Sequence, residues 1–129
     1  MLLEKHCWAE VSLDALRENF RLVQAAAGST PVMAVVKANA YGHGDAAVAR
    51  LLEAEGAAAF AVSDLAEALC LRRAQVARPI LILGWTDPAC TAALAVNTIT
   101  QAAVSLQHAK ALSDAALHAG GARNVHLRG

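Results

Sequence analysis

Lys37 stands at the end of an uncharged apolar run, Val32-Met33-Ala34-Val35-Val36, and opens a segment of small residues, Ala38-Asn39-Ala40-Tyr41-Gly42-His43-Gly44. A lysine that leaves a buried strand is partly desolvated. Burial disfavours the ammonium and favours the neutral amine, the form that attacks a carbonyl. Schiff-base formation is the chemistry this placement permits. A strand-end lysine can equally extend its head group to water, so position alone leaves both readings open.

Other constellations offer less. Cys7, Cys70 and Cys90 are odd in number, widely spaced and without a Cys-x-x-Cys pair, so they read as reduced thiols and no metal is expected. Gly42-His43-Gly44 is only part of a dinucleotide fingerprint or a Walker loop. A phosphoacceptor domain needs a carboxylate cluster for a divalent cation. Asp64 alone qualifies, and it is better explained as an acid in the first turn of a helix. His108, His118 and His126 read as structural or surface residues.

Composition narrows the classes further. Lys plus Arg and Asp plus Glu are 11 each among 129 residues, which removes the footprint of a nucleic-acid or anionic-membrane binder. Apolar residues reach 57%, alanine alone about a quarter, so a buried, helix-rich core is expected and disorder is excluded. The longest charge-free stretch, Pro88 to Ala109, is broken by Asn97, Thr98, Thr100, Gln101, Ser105 and Gln107 and is no spanning helix. Met1-Leu2-Leu3-Glu4-Lys5 lacks a signal-peptide core. A soluble, cytoplasmic protein is expected.

The elements that must position Lys37 alternate between strand and helix. Trp8 to Val11 reads as a short strand. Leu13, Leu16, Phe20, Val23 and Ala27 give a helix over 13–27, with Ser12 as N-cap and Gly28 as stop. Val32 to Val36 reads as a strand buried on both faces. A helix over 45–55, a strand over 58–62, a Ser63-capped helix to about Ala74 and a strand over 80–83 follow. Asp64 and Glu67 form the acidic first turn of the third of these helices and Arg72 and Arg73 its basic last one. A short helix from Pro88 to about Ala95, a strand over 98–100, a Ser105-capped helix to Gly120 and Gly121, and a strand over 124–127 complete the pattern.

Such alternation implies parallel pairing through right-handed crossovers. Strand starts near 32, 58, 79, 98 and 124 recur about every 23 residues. An open doubly wound sheet of five strands uses this length completely, whereas an eight-stranded barrel needs roughly 250 residues. Periodicity alone favours the open sheet. Either architecture puts chemistry at the carboxyl ends of the strands, at Lys37, Ser63, Asp64, Gly84, Gln101 and Arg128.

Ala34-Val35-Val36-Lys37-Ala38-Asn39-Ala40-Tyr41-Gly42-His43-Gly44 resembles, residue for residue, the pyridoxal-phosphate attachment motif of bacterial alanine racemases. Trp8 to Phe20, Asp64-Leu65-Ala66-Glu67-Ala68, Ile82-Leu83-Gly84 and Thr100 to His126 continue the resemblance. It implies an α/β fold, a partial (β/α)8 TIM-type barrel with about five of the eight strands and without the C-terminal β domain. Residues 1–129 are then the N-terminal part of the barrel domain, with the first short strand and helix at 8–27 and βα units over 32–129.

The resemblance also implies pyridoxal 5'-phosphate as cofactor. Lys37 would hold it as a Schiff base and act as the base on the D-alanine face. Tyr41 would donate its hydroxyl to the cofactor phosphate, and Leu83 would pack near the ring. The reaction implied is interconversion of L- and D-alanine, a small-molecule substrate, for cell-wall peptidoglycan, by a full-length homodimer that binds neither nucleic acid nor membrane. Racemisation needs a second acid–base group, in the family a tyrosine from the partner's C-terminal domain, and Tyr41 is the sequence's only tyrosine. Arg128 stands where the family usually has a lysine. The chain is therefore expected to be a fragment that is inactive by itself. A related serine racemase is one alternative. A non-catalytic pyridoxal-phosphate carrier is another, although it lacks the Asn-Ala-Tyr-Gly-His-Gly continuation.

Overall fold

Short polar side chains start three of the helices. In the computed structural model, which describes residues 7–120 and the backbone of residues 125–127, Ser12 Oγ accepts from the Ala15 amide at 3.2 Å and opens α1 (Leu13–Ala27). Gly28, at φ +62°, closes that helix. Asp64 Oδ1 accepts from the Glu67 amide at 2.9 Å and opens α4 (Leu65–Arg73). Ser105 Oγ accepts from the His108 amide at 3.0 Å and opens α6 (Leu106–His118). Each satisfies an amide that the helix itself leaves unbonded. The cap of α4 is thus Asp64 and not Ser63, because Ser63 still belongs to the preceding strand's end and gives its amide to Glu67.

Between these lie β1 (Met33–Val35), the single turn α2 (Lys37–Tyr41), α3 (Asp45–Ala54), β2 (Ala59–Val62) and β3 (Ile80–Ile82). A 3-10 turn at Pro88–Cys90 leads into α5 (Thr91–Val96), followed by β4 (Ile99–Ala103) and, after α6, β5 (Val125–Leu127). Asn124, Gly121 and Arg128 lie outside the described residues.

All five strands are parallel and lie in the order β1-β2-β3-β4-β5, with Val35 opposite Ala61, Ala61 opposite Leu81 and Leu81 opposite Thr100. Sequential order decides between the two architectures. A doubly wound sheet reverses direction at a switch point and covers both faces with helices. Here every crossover advances the same way, and one face takes the helices. Phe60, Val62, Ile80, Ile82 and Ile99 pack there with Phe20, Val48, Leu52, Leu71, Leu94 and Leu112. The opposite face carries smaller residues, Ala61, Leu81 and Ala102, with Leu83 against them. This is a five-stranded arc of a (β/α)8 barrel, helices outside and small side chains within.

Two expectations fail for one reason: burial and pairing depend on neighbours. Trp8 to Val11 is not a strand, because it forms no hydrogen-bonding ladder among the described residues. β1 is not buried on both faces. It is the edge of the arc, and Met33 and Val35, on its inner side, are 47% and 43% exposed.

Candidate active site

Pairing register brings the strand ends together. Val35, Ala61 and Leu81 are partners across three strands, so the carboxyl ends of β1, β2 and β3, which lead into Lys37, Ser63 and Leu83, lie side by side. Leu83 packs on the inner face with Ala61 and Leu81, whereas the backbone leaves the extended conformation at Val36 (φ −122°, ψ 26°) and Lys37 opens α2. With strands about 4.8 Å apart, the ends of β1 and β3 are separated by about 10 Å. Lys37 is half-buried, and among the described residues its amine forms no ion pair. Tyr41 is 60% exposed at the same end.

The backbone beyond Lys37 is unusual. Ala38, Asn39 and Ala40 have φ/ψ of 51/50°, 55/45° and 52/48°, and Tyr41 has φ 54°. α2 is therefore a turn of left-handed helix built from four L-residues. It is closed by the Ala40 amide on the Val36 carbonyl at 3.0 Å and the Gly42 amide on the Ala38 carbonyl at 3.1 Å. Each such residue costs about 1–2 kcal/mol, so the turn exists only because its surroundings hold it.

Three side chains supply that hold. Glu67 Oε1 accepts from the Ala38 amide at 2.8 Å while its Oε2 accepts from the Ser63 amide at 2.7 Å. Asn39 Oδ1 accepts from the Asp45 amide at 2.9 Å and so caps α3 from within the turn. The His43 ring donates through Nδ1 to the Ala40 carbonyl at 2.9 Å. Sequence spacing assigns none of these partners. Its nearest signal is the acid three residues after the Asp64 cap, the pattern of a capping box, in which the acid returns to the cap residue's own amide.

Gly84 answers to a different constraint. Its amide donates to the Ser63 carbonyl at 3.1 Å, and a Cβ there would sit 2.5 Å from that same oxygen. Only glycine lets the β2 and β3 ends approach this closely. Behind them Gln101, expected among the strand-end residues of the site, faces the helix side instead. Its Nε2 donates to the Gly84 carbonyl at 2.6 Å and to the Ala102 carbonyl at 2.8 Å. His108 is buried and structural, with Nε2 2.8 Å from the Thr86 carbonyl and its ring centroid 5.8 Å from that of Trp85.

A cleft of about 540 Å³ opens at the other end of the strands, lined by Arg72, Pro79, Asn97 and Thr98. Its one cation is already committed. Arg72 donates to the carbonyls of Asn97, Val76, Arg78 and Thr98 at 2.7–2.9 Å, and burial pushes its guanidinium below the usual arginine value. The cleft therefore reads as a structural seam. At the carboxyl end stand an amine, Lys37, and a phenol, Tyr41, after β1, with Leu83 packed on an apolar inner wall of Ala61, Leu81 and Ala102, side-chain types that suit an aldehyde, a phosphate and an aromatic ring. No cluster of metal-ligating side chains occurs among the described residues.

Residues 11–128 match the family model described as alanine racemase, N-terminal domain. An alanine racemase of Clostridium perfringens is 41% identical over 120 residues, 93% of this chain and 31% of that protein. The solved alanine racemase of Clostridium difficile 630 in complex with cycloserine has a TM-score of 0.88 at 35% identity, covering 98% of this chain and 34% of its own. A histidine racemase from Leuconostoc mesenteroides has a TM-score of 0.81 at 33% identity, with 88% of this chain and 30% of its own covered. The chain spans about a third of the length of the relatives it matches.

Proposed function

The chain belongs to the alanine racemase N-terminal-domain family, and from that membership we propose that it contributes the lysine side of a pyridoxal-phosphate racemase acting on alanine. The observation that carries this reading is Lys37: a half-buried amine, free of ion pairs among the described residues, at the carboxyl end of β1 and followed by a rigid left-handed turn. When bound, the cofactor delocalises the electron pair left by removal of an α-proton.

This chain's residues do the rest. Lys37 Nζ holds the cofactor covalently and, once released, takes or returns the α-proton on the D-alanine face. The Tyr41 hydroxyl donates to a phosphate oxygen and orients the ring from its far end. Leu83, on the inner face two strands away, packs against the ring and keeps water from that side. Fixing the backbone beside Lys37 narrows the positions its amine samples, the entropic part of such catalysis.

One lysine serves one face, and racemisation requires a second proton carrier opposite it. Tyr41, already given to the phosphate, is the sequence's single tyrosine. The resemblance to alanine racemases implies that the second group comes from a partner subunit in a homodimer, and the 129 residues alone are expected not to racemise alanine. The role served is cytoplasmic supply of D-alanine for cell-wall peptidoglycan. No helix among the described residues is long and apolar enough to cross a membrane.

The test is reductive trapping. After mixing with pyridoxal phosphate and reduction with borohydride, peptide mapping is expected to find the label on Lys37 and to lose it in Lys37→Ala. Label spread evenly over Lys37 and Lys110, or found on neither, overturns the reading.

A further inference from the structure

We propose that Glu67 is a positioning residue for Lys37, acting through the backbone; the proposal rests on the reading of Lys37 as the cofactor lysine. Its carboxylate takes the amide of Ala38, the residue immediately after Lys37, with one oxygen and the amide of Ser63, at the end of the neighbouring strand, with the other. One side chain thereby ties the segments that follow β1 and β2 together beside Lys37.

The geometry is specific to a carboxylate. Two amides converge, so two acceptor oxygens are needed, and a carboxamide offers one oxygen and sets its NH2 against the second amide. Ionised acceptors also make the stronger bonds. Glu67 sits in the first turn of α4, where the helix N-terminus favours a negative charge, and its own amide is held by Asp64. Asp64 thus closes the helix locally, and Glu67 is left to reach outward. A purely helix-capping acid would have no business with Ala38, which lies 29 residues earlier in sequence.

The consequence concerns Lys37 directly. Ala38 is the first of the four left-handed residues, and its amide leaves the turn at the point where right-handed or extended backbone is the lower-energy alternative. Releasing that amide lets residues 37 and 38 relax together, and the amine loses its fixed origin.

The experiment uses the 129-residue chain with two readouts on the wild type, Glu67→Gln and Glu67→Asp. The first is amide hydrogen exchange at Ala38 and Ser63, which needs no cofactor. The second is the ratio of Lys37 to Lys110 labelled by pyridoxal phosphate and borohydride, so that Lys110 serves as the internal reference. Glu67→Gln is expected to lower protection of both amides at least tenfold, equivalent to about 1.4 kcal/mol, and to lower the labelling ratio at least fivefold. Glu67→Asp, with both oxygens on a shorter arm, is expected to fall between, and it decides the matter if Glu67→Gln does not fold.

Arg72→Lys, which weakens the opposite end of the strands, separates positioning from general destabilisation. It is expected to lower protection evenly and to leave the labelling ratio within twofold. A folded Glu67 variant with an unchanged ratio overturns the proposal, as does Arg72→Lys reducing the ratio equally. A wild type without preference for Lys37 overturns the cofactor reading itself and this proposal with it, whatever the two amides do.

Discussion

Replacing Ala38 with glycine is expected to stabilise the chain, against the usual direction of such a change. Ala38 has φ 51° and ψ 50°, and it is exposed. Holding an L-residue there costs about 1–2 kcal/mol relative to its right-handed alternatives. Glycine removes that cost, because it has no Cβ to crowd the carbonyl, while greater freedom in the unfolded chain returns about 0.4–1 kcal/mol. No packing is lost at an exposed methyl. The balance is a net gain of up to about 1.5 kcal/mol. Ala25 provides the opposite case: it is exposed too, but lies inside right-handed α1, where the same substitution costs about 0.5–1 kcal/mol. Ala40, also left-handed but buried, loses a methyl contact worth about 0.8 kcal/mol and should come out near neutral. Urea unfolding followed by circular dichroism reads all three. The expected order of midpoints is Ala38→Gly above wild type, Ala40→Gly close to it and Ala25→Gly below. If Ala38→Gly falls as far as Ala25→Gly, the turn is not left-handed and the account of how Lys37 is held collapses.

Two further expectations concern the scaffold. Arg21, with Arg17 beside it, holds the Glu55 carboxyl below the ordinary glutamate range, tying the end of α3 to α1. A depressed folded value means that this contribution is fully present above about pH 4.3 and is lost as pH falls from there through the folded value. Urea midpoints of wild type and Glu55→Gln should therefore differ at pH 7 and converge below pH 4; a gap that widens on acidification refutes the assignment. Gly84→Ala should destabilise by about 1–3 kcal/mol, the range for forcing a methyl into filled space, because its Cβ meets the Ser63 carbonyl. An unchanged urea midpoint for that variant would show that the β2 and β3 ends can part freely.

Local signals were readable where local chemistry decides. α1 follows from its apolar spacing, its Ser12 cap and its Gly28 stop, all within the segment itself. Lys37 was conspicuous because a single charge ends an apolar run. Spacing could not distinguish an open sheet from a barrel, since both repeat strand and helix at similar intervals. The difference lies in which way each crossover turns, and it becomes visible only as strand order. Exposure of Met33 and Val35 was hidden for a related reason: an apolar run looks alike at the edge and in the middle of a sheet.

The left-handed turn is the more instructive failure. Alanine is the strongest right-handed helix former, so Ala38 and Ala40 argue locally for the wrong hand, and Asn39 is the only one of the four residues that tolerates this conformation well. Partners outside the turn reverse the preference: Glu67 from α4, 29 residues on, holds Ala38, and nearer by, Asp45 at the start of α3 holds Asn39 and His43 closes back on Ala40. A conflict between local propensity and the final fold is costly, and it survives chiefly where function requires it. Here the conflict and its three supports fall within residues 38–45 and the helix that faces them, directly beside the strand-end amine of Lys37. That coincidence supports the proposed site on physical grounds, independently of the motif in the sequence.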